Sequence, residues 1–199
     1  MFLSAVVLAA GSSRRLGQPK QTLPFRDTTL LGATLDVVRA AGVDQALVTL
    51  GGAAPQVRAA VDVDGFDVVE VEDHGQGCAA SIVAAVDRID PAADGFVLLL
   101  GDQPGVDARQ IRALATFAVQ NESVPDAAVS LYDDGPGHPL WLSRRRFGDL
   151  RRLRGDKAVW KLLDRHAGEA ADVPVDGPIP RDIDTWDDYV ALCRAAAHA

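Results

Sequence analysis

The sequence predicts an α/β fold, a three-layer sandwich with a mostly parallel central sheet and helices on both faces. Two observations predict it. Short apolar runs alternate with stretches whose apolar residues recur at helical spacing. The first and fourth of those runs are almost continuously apolar, as strands covered on both faces are. No internal repeat, low-complexity tract or linker interrupts the pattern, so a single domain spanning residues 1–199 is expected.

Taken in order, Ser4–Ala9 (SAVVLA) reads as the first strand. Leu30–Ala41 follows as a helix, with Thr28 or Thr29 to cap its start and Gly42 to end it. Ala46–Leu50 and Val68–Val71 read as strands, Ala79–Ile89 as a helix and Phe96–Leu100 as the fourth strand. Strand, helix and strand repeated in this way imply a parallel sheet. The second half is less regular. Ala127–Tyr132 and Pro139–Leu142 are candidate strands around the turn-rich Asp133-Asp134-Gly135-Pro136-Gly137. Helices are expected near Arg144–Leu153, Asp156–His166 and Asp187–Ala197.

Composition excludes several classes. The 20 basic and 28 acidic side chains give a net charge of −8, the wrong sign for bulk binding to nucleic acid or anionic membrane. With 48% hydrophobic and 24% charged residues the chain is globular rather than disordered. Two cysteines, Cys78 and Cys193, lie far apart and form no CxxC pattern. Neither a disulfide framework nor a zinc site is expected, and a reducing cytoplasm fits. The opening MFLSAVVLAAGSSRR lacks a basic segment before its apolar run, so it does not read as a signal peptide. No apolar stretch reaches the length of a membrane span.

The strongest local signal is the loop after the first strand, Gly11-Ser12-Ser13-Arg14-Arg15-Leu16-Gly17-Gln18-Pro19-Lys20. Glycines let backbone approach phosphate closely, and free N–H groups can cradle its oxygens. Lys20 is one of only three lysines in the chain, with Lys157 and Lys161, so its place here is not composition noise. The spacing excludes two familiar loops. No second glycine stands two residues after Gly11, as a dinucleotide fingerprint requires. Lys20 lies three residues beyond Gly17, whereas a P-loop lysine is adjacent to its glycine. An ordinary solvated strand-to-helix loop is the competing reading.

Leu8-Ala9-Ala10-Gly11 through Lys20 resembles the signature loop of sugar-phosphate-type nucleotidyltransferases, and within them the molybdenum cofactor cytidylyltransferases and their guanylyltransferase relatives. Leu98-Leu99-Leu100-Gly101-Asp102-Gln103-Pro104 and Gly137-His138-Pro139 narrow the resemblance to the molybdopterin-type branch. It runs from Val6 to about Tyr189. It implies a Rossmann-like, nucleotide-diphospho-sugar transferase-like fold, with a nucleotide-binding half over residues 1–105 and a substrate-side half over 106–199. The implied catalytic residues are Arg15, Lys20 and Asp102. Nucleotide binding is implied for Ala9, Ala10, Gly11, Ser12, Ser13, Arg15, Lys20, Gly51, Gly77, Ser81 and Gly101.

Asp102 follows an apolar strand directly and faces the crevice where an open parallel sheet binds its ligand. Read alone, it serves a turn or a helix cap equally well. Beside a triphosphate loop it is a Mg²⁺ ligand, since Mg²⁺ takes one or two carboxylates with phosphate oxygens and water. The resemblance assigns it that role. Asp182 and Asp184 share one side of an extended segment, and Asp184 is preferred as the second metal ligand with Asp182 in reserve. A capping cluster for the last helix, built on Asp184 or Thr185, fits as well. Trp186 stands where the family usually has proline.

Gln76-Gly77-Cys78-Ala79-Ala80-Ser81 opens a helix with small residues that admit a base or ribose. Cys78 has no paired base and reads as a small buried residue rather than a nucleophile. On the substrate side the resemblance implies His138, Asp156 and Lys157, with His138 either orienting a substrate phosphate or stabilising its loop. Arg144–Arg165 holds nine of the 20 basic residues against Asp149, Asp156 and Asp164. A phosphorylated acceptor suits that reversal of charge, and so do the solvated faces of two helices.

The implied reaction is transfer of CMP from CTP, or GMP from GTP, to a phosphorylated small-molecule acceptor such as molybdopterin, with pyrophosphate leaving. Ala10 favours CTP, because the guanylyl branch tends to carry glycine there and a methyl crowds a purine. A molybdoenzyme or chaperone partner is also implied. Two other classes fit an alternating α/β chain: a reductase using a nicotinamide or flavin cofactor, and a nucleotide-binding regulator without catalysis.

Overall fold

Strand β1 (Leu3–Ala9) is followed by a 3-10 turn (Lys20–Thr22), a small hairpin of β2 (Pro24–Phe25) and β3 (Thr28–Thr29), and helix α1 (Leu30–Ala41). Then come β4 (Gln45–Leu50), α2 (Ala54–Ala60), β5 (Asp67–Glu70), α3 (Cys78–Val86) and β6 (Gly95–Leu100). The second half holds α4 (Ala108–Gln120), β7 (Ala127–Tyr132), β8 (Gly135–Ser143) and a 3-10 turn (Arg144–Arg146) that runs into α5 (Phe147–Leu150). Helix α6 (Ala158–Arg165), β9 (Ala170–Pro174) and α7 (Trp186–Ala196) complete it. The computed structural model describes residues 1–72, 77–120, 125–165 and 170–197.

Seven strands form one sheet in the order β5-β4-β1-β6-β8-β7-β9. Only β8 runs against its neighbours, antiparallel to β6 and β7, while the remaining pairs are parallel. The mostly parallel sheet expected from the sequence is therefore what forms. Side chains alternate across the pleat, so each strand feeds two cores. Val6, Leu47, Leu98 and Leu140 face α3, α5 and α6. Val7, Val48, Leu99 and Trp141 face α1, α2 and α4. A third, smaller cluster of Leu16, Leu23, Phe25, Leu30 and Ile183 packs beneath Tyr189 and Leu192 of α7.

Local chemistry sets the helix ends. Thr29, not Thr28, caps α1, its hydroxyl accepting from the Gly32 N–H at 3.0 Å. Gly42 ends α1 in the left-handed region at φ 71°. Thr185 caps α7 in a capping box with Asp188.

Several elements differ from the sequence expectation. The Gly135-Pro136-Gly137 stretch is strand rather than turn, paired with Ser130–Tyr132 across a tight Asp133-Asp134 connection. Pairing with β7 overrides the turn chemistry of its glycines and proline. The helix expected over Arg144–Leu153 is a 3-10 turn and one short helical segment. Helix α3 stops at Val86, short of Ile89. Helix α6 starts at Ala158, and His166 lies outside the described residues. Helices α2 and α4, strand β9 and the β2–β3 hairpin add to the expected elements.

Gly95 and Gly148 make opposite demands on a methyl group. A Cβ at Gly95 would come within 2.5 Å of the Leu142 carbonyl and of the buried Trp141 ring, whereas one at Gly148 meets nothing within 4 Å. Gly95→Ala is expected to cost about 1–3 kcal/mol by overpacking. Gly148→Ala is expected to be neutral or to stabilise by about 0.5–1 kcal/mol through helix propensity. Urea denaturation of the two variants beside the parent checks both.

Candidate active site

β1 and β6 stay in register as far as Leu8 and Leu100, so both chains leave the sheet side by side. The Gly101 N–H extends that pairing by donating to the Leu8 carbonyl at 2.9 Å. A Cβ on Gly101 would lie 2.9 Å from Leu31 Cδ1 and 3.0 Å from Ala9 Cβ, so a side chain there would make Leu31 shift. The next residue, Asp102, thereby faces the loop that leaves β1.

That loop is fixed from inside. The Gln21 side chain, 3% exposed, donates from Nε2 to the carbonyls of Ala9 at 2.6 Å and Gly11 at 3.1 Å. Ser13 has φ 50°, and its hydroxyl accepts from the Lys20 N–H at 2.9 Å. With its backbone held there, Lys20 places Nζ 2.5 Å from Asp102 Oδ2 and 2.9 Å from Asp184 Oδ1. Arg15 reaches the other oxygen of Asp184 at 2.8 Å. Asp184 is brought in by the buried Ile183, whose N–H donates to the Asp102 carbonyl at 3.2 Å. Because Thr185 takes the capping task, the Asp184 carboxylate is left to face Lys20 and Arg15.

The charges are mutually dependent. Burial pulls the Lys20 ammonium down, but Asp102 and Asp184 outweigh it and hold its pKa above the ordinary lysine value. The hydrogen bond from Lys20 leads the effects that hold Asp184 below the ordinary carboxylate value. Asp182 goes the other way, raised by burial and by the negative charge of Asp102.

A cleft of about 430 Å³ opens beside this cluster, within the usual range for a small-molecule site. Ala9, Ala10, Gly11, Ser12, Lys20, Gly77, Ser81, Gly101, Asp102 and Asp156 all line it, as does Asp182. Ser13, Arg15 and Asp184 line an adjoining cleft of about 290 Å³ that shares Gly11, Ser12 and Lys20. Gly77 starts α3 at φ 86°, and a Cβ there would lie 2.5 Å from Asp156 Oδ1. The same carboxylate accepts from the Cys78 N–H at 3.2 Å, so Asp156 caps α3 from a turn far away in sequence. Cys78 lines the cleft, its thiol directed at the Gly155 carbonyl, and Gln76 lies outside the described residues.

Three expected site residues lie outside both clefts. Gly51 bridges β4 and α2, its carbonyl accepting from Ala54 N–H. His138 is 8% exposed, stands edge-on to Trp160, and is pushed down to about pH 4 by burial. Its imidazole is neutral at ordinary pH. Lys157 occupies the turn before α6 at φ 53°. Arginines of the basic stretch pair with acids: Arg145 and Arg146 with Asp126, Arg151 with Asp87, and Arg152 with Asp149. For those arginines the structure favours the helix-face reading over an acceptor site. Sequence reasoning missed Gln21 and Arg14. Gln21 carries no motif signal, because its partners are backbone carbonyls ten and twelve residues away.

The donor chemistry can hold a hard cation. Asp102 and Asp184 turn oxygens onto one ammonium, which marks a cation position between them. Among the described residues no group of three or more His, Cys, Asp or Glu is set to hold a metal. Mg²⁺ needs only one or two carboxylates when phosphates and water supply the rest.

Residues 5–170 match the model of the MobA-like NTP transferase domain. The chain is similar over its length to Rv0371c from Mycobacterium tuberculosis H37Rv. That crystal structure is 53% identical with a TM-score of 0.90, each chain covered to 98%. Rv0371c has also been crystallised in complex with manganese, at 51% identity and TM-score 0.86, covering 98% of this chain and 100% of that one. Purine catabolism protein PucB of Bacillus subtilis (strain 168) is 29% identical, with 98% of this chain and 97% of PucB aligned. Nicotine blue oxidoreductase of Paenarthrobacter nicotinovorans is 28% identical over 69% of each chain.

Asp184→Asn tests the charge cluster through pH. The pKa of Asp184 is depressed on folding, so its contribution to stability is present above the unfolded value of 3.8 and fades as pH falls through the lower folded value. The stability difference between the parent and Asp184→Asn is therefore expected to be constant near neutrality and to shrink on acidification below pH 3.8. A series of urea unfolding curves across that range checks it.

Proposed function

The chain belongs to the MobA-like NTP transferase family and is a nucleotidyltransferase, and from that premise we propose that it transfers CMP from CTP, with Mg²⁺, to a phosphorylated pterin of the molybdopterin type. The observation that carries this reading is the Lys20 ammonium held between Asp102 and Asp184 at the mouth of a glycine loop.

The roles follow from what each group can offer. N–H groups of Gly11, Ser12 and Ser13 cradle the triphosphate. Lys20 and Arg15 neutralise charge that builds on it during transfer. Asp102 and Asp184 would hold Mg²⁺, which when bound supplies further neutralisation and orients the phosphates. An oxygen of the acceptor phosphate bonds to the α-phosphorus, the bond to the β-phosphate oxygen breaks, and pyrophosphate leaves with the electron pair. The protein contributes position and charge rather than a covalent intermediate. Gly77 and Ser81 flank the base and ribose. His138, neutral and buried against Trp160, shapes the acceptor side rather than charging it. Asp156 supports the cleft wall through its bond to Cys78.

Support for CTP comes from Ala10, which lines the cleft and carries a methyl where the guanylyl branch tends to have glycine. One such contact is worth about 1–3 kcal/mol, so CTP is expected to be preferred over GTP without excluding it. Support for the acceptor is the resemblance through Leu98–Pro104 and Gly137–Pro139. A reductase reading is raised by the name of one relative. The loop opposes it, with Lys20 in place and no second glycine two residues after Gly11. Its signs would be flavin absorbance in the purified protein or oxidation of a reduced nicotinamide.

The decisive experiment is pyrophosphate release from CTP, GTP, ATP and UTP with Mg²⁺ and molybdopterin. Release fastest with CTP, and dependent on the acceptor, is expected. Faster turnover and tighter binding of GTP would move the chain to guanylyl transfer. In the same assay Asp102→Asn is expected to lose metal-dependent turnover while keeping its circular dichroism. Lys20→Ala and Arg15→Ala are expected to slow the reaction by about 10²–10³.

A further inference from the structure

We propose that Lys20 is the resident cation of the metal site. Its ammonium and a divalent ion compete for one position between Asp102 and Asp184, and the metal settles there tightly once a triphosphate draws Lys20 away. The proposal rests on the reading of those two carboxylates as the metal ligands.

Four observations carry it. First, one atom, Lys20 Nζ, lies 2.5 Å from an oxygen of Asp102 and 2.9 Å from an oxygen of Asp184, so the convergence point of both ligands is filled by the protein itself. A metal ion and the ammonium cannot both take those oxygens without direct repulsion between cations. Second, the occupant is held, not dangling. The Lys20 side chain is 12% exposed, and its own N–H is pinned by the Ser13 hydroxyl at 2.9 Å. Third, an exit exists. Lys20 lines both clefts along with Gly11 and Ser12, so rotation of its four-carbon stem moves the charge toward the glycine loop without unfolding the 3-10 turn. Fourth, the pocket needs a cation at all times. Asp182 lines the same cleft as Asp102, and without Lys20 these acids and Asp184 would face one another with Arg15 alone bonded to Asp184.

Two consequences follow. The free protein binds a divalent ion weakly, because the ion must first expel Lys20. Triphosphate and metal then strengthen one another, since each favours the displaced lysine, and linkage makes the effect reciprocal.

The test measures Mn²⁺ binding to the free protein by the electron paramagnetic resonance of unbound Mn²⁺, with and without a non-hydrolysable CTP analogue. Lys20→Met and Lys20→Gln remove the charge, and Asp102→Asn reports whether the ion occupies this site. Without nucleotide, both lysine variants are expected to bind Mn²⁺ about ten- to a hundredfold more tightly than the parent, the effect of removing an adjacent like charge. The gain in Mn²⁺ affinity that the analogue gives the parent is expected to shrink in both. Mn²⁺ is also expected to raise the thermal midpoint of Lys20→Met by more than that of the parent, which covers a variant weakened by loss of the lysine. Equal or weaker Mn²⁺ binding in both lysine variants, with binding abolished by Asp102→Asn, overturns the competition and leaves the metal ligands standing. Mn²⁺ binding that survives Asp102→Asn in every background overturns the ligand assignment, and the competition with it.

Discussion

Lys20 sits between two carboxylates that belong to segments 82 and 164 residues further along the chain. The Lys20 ammonium would be costly to bury alone and is stabilised by both carboxylates, while the two carboxylates lie close together only because Lys20 stands between them. That mutual dependence ties together the loop after β1, the turn after β6 and the extended segment before α7. Two clefts open around this cluster, and Lys20 lines both.

The sheet serves that arrangement. Alternation along β1 and β6 sends Val6 and Leu98 to one core and Val7 and Leu99 to the other, which fixes the register to the last pair, Leu8 and Leu100. A slip of one residue would turn each core side chain to the wrong layer, so the apolar pattern of the strands also sets where Asp102 emerges. The reversal at β8 brings Trp141 against Gly95 at the start of β6, the end of the strand away from the site. Packing energy and the placement of a carboxylate are thus two results of one pattern.

Much of this was legible in the residues. The boundaries of β7 and α1 follow directly from apolar spacing, and Lys20 and Asp102 stand out because each follows an apolar strand with glycine nearby. Other parts were not. Strand β9, Ala170–Pro174, is a short edge strand with a single buried side chain, too little burial to leave a pattern. Gly135–Gly137 carries turn residues yet pairs as strand, because its pairing with Ser130–Tyr132 outweighs local turn chemistry that residue types alone convey. Gln21 belongs to no motif, since what it recognises is backbone. Asp184 and Thr185 were equivalent as caps on paper, and the folded geometry divides their labour.

The meeting of Gly77 with Asp156 reaches beyond the energetics of one cleft. No side chain at position 77 fits while a carboxylate and the backbone of residue 155 occupy that space, and that carboxylate in turn holds the first turn of α3. Two sites 79 residues apart therefore behave as one unit of inheritance. A lineage could alter the width of this wall of the cleft only by changing both together, through an intermediate in which the helix start had lost its cap or gained a clash. For an engineer seeking a wider cleft, position 77 is consequently a poor first choice.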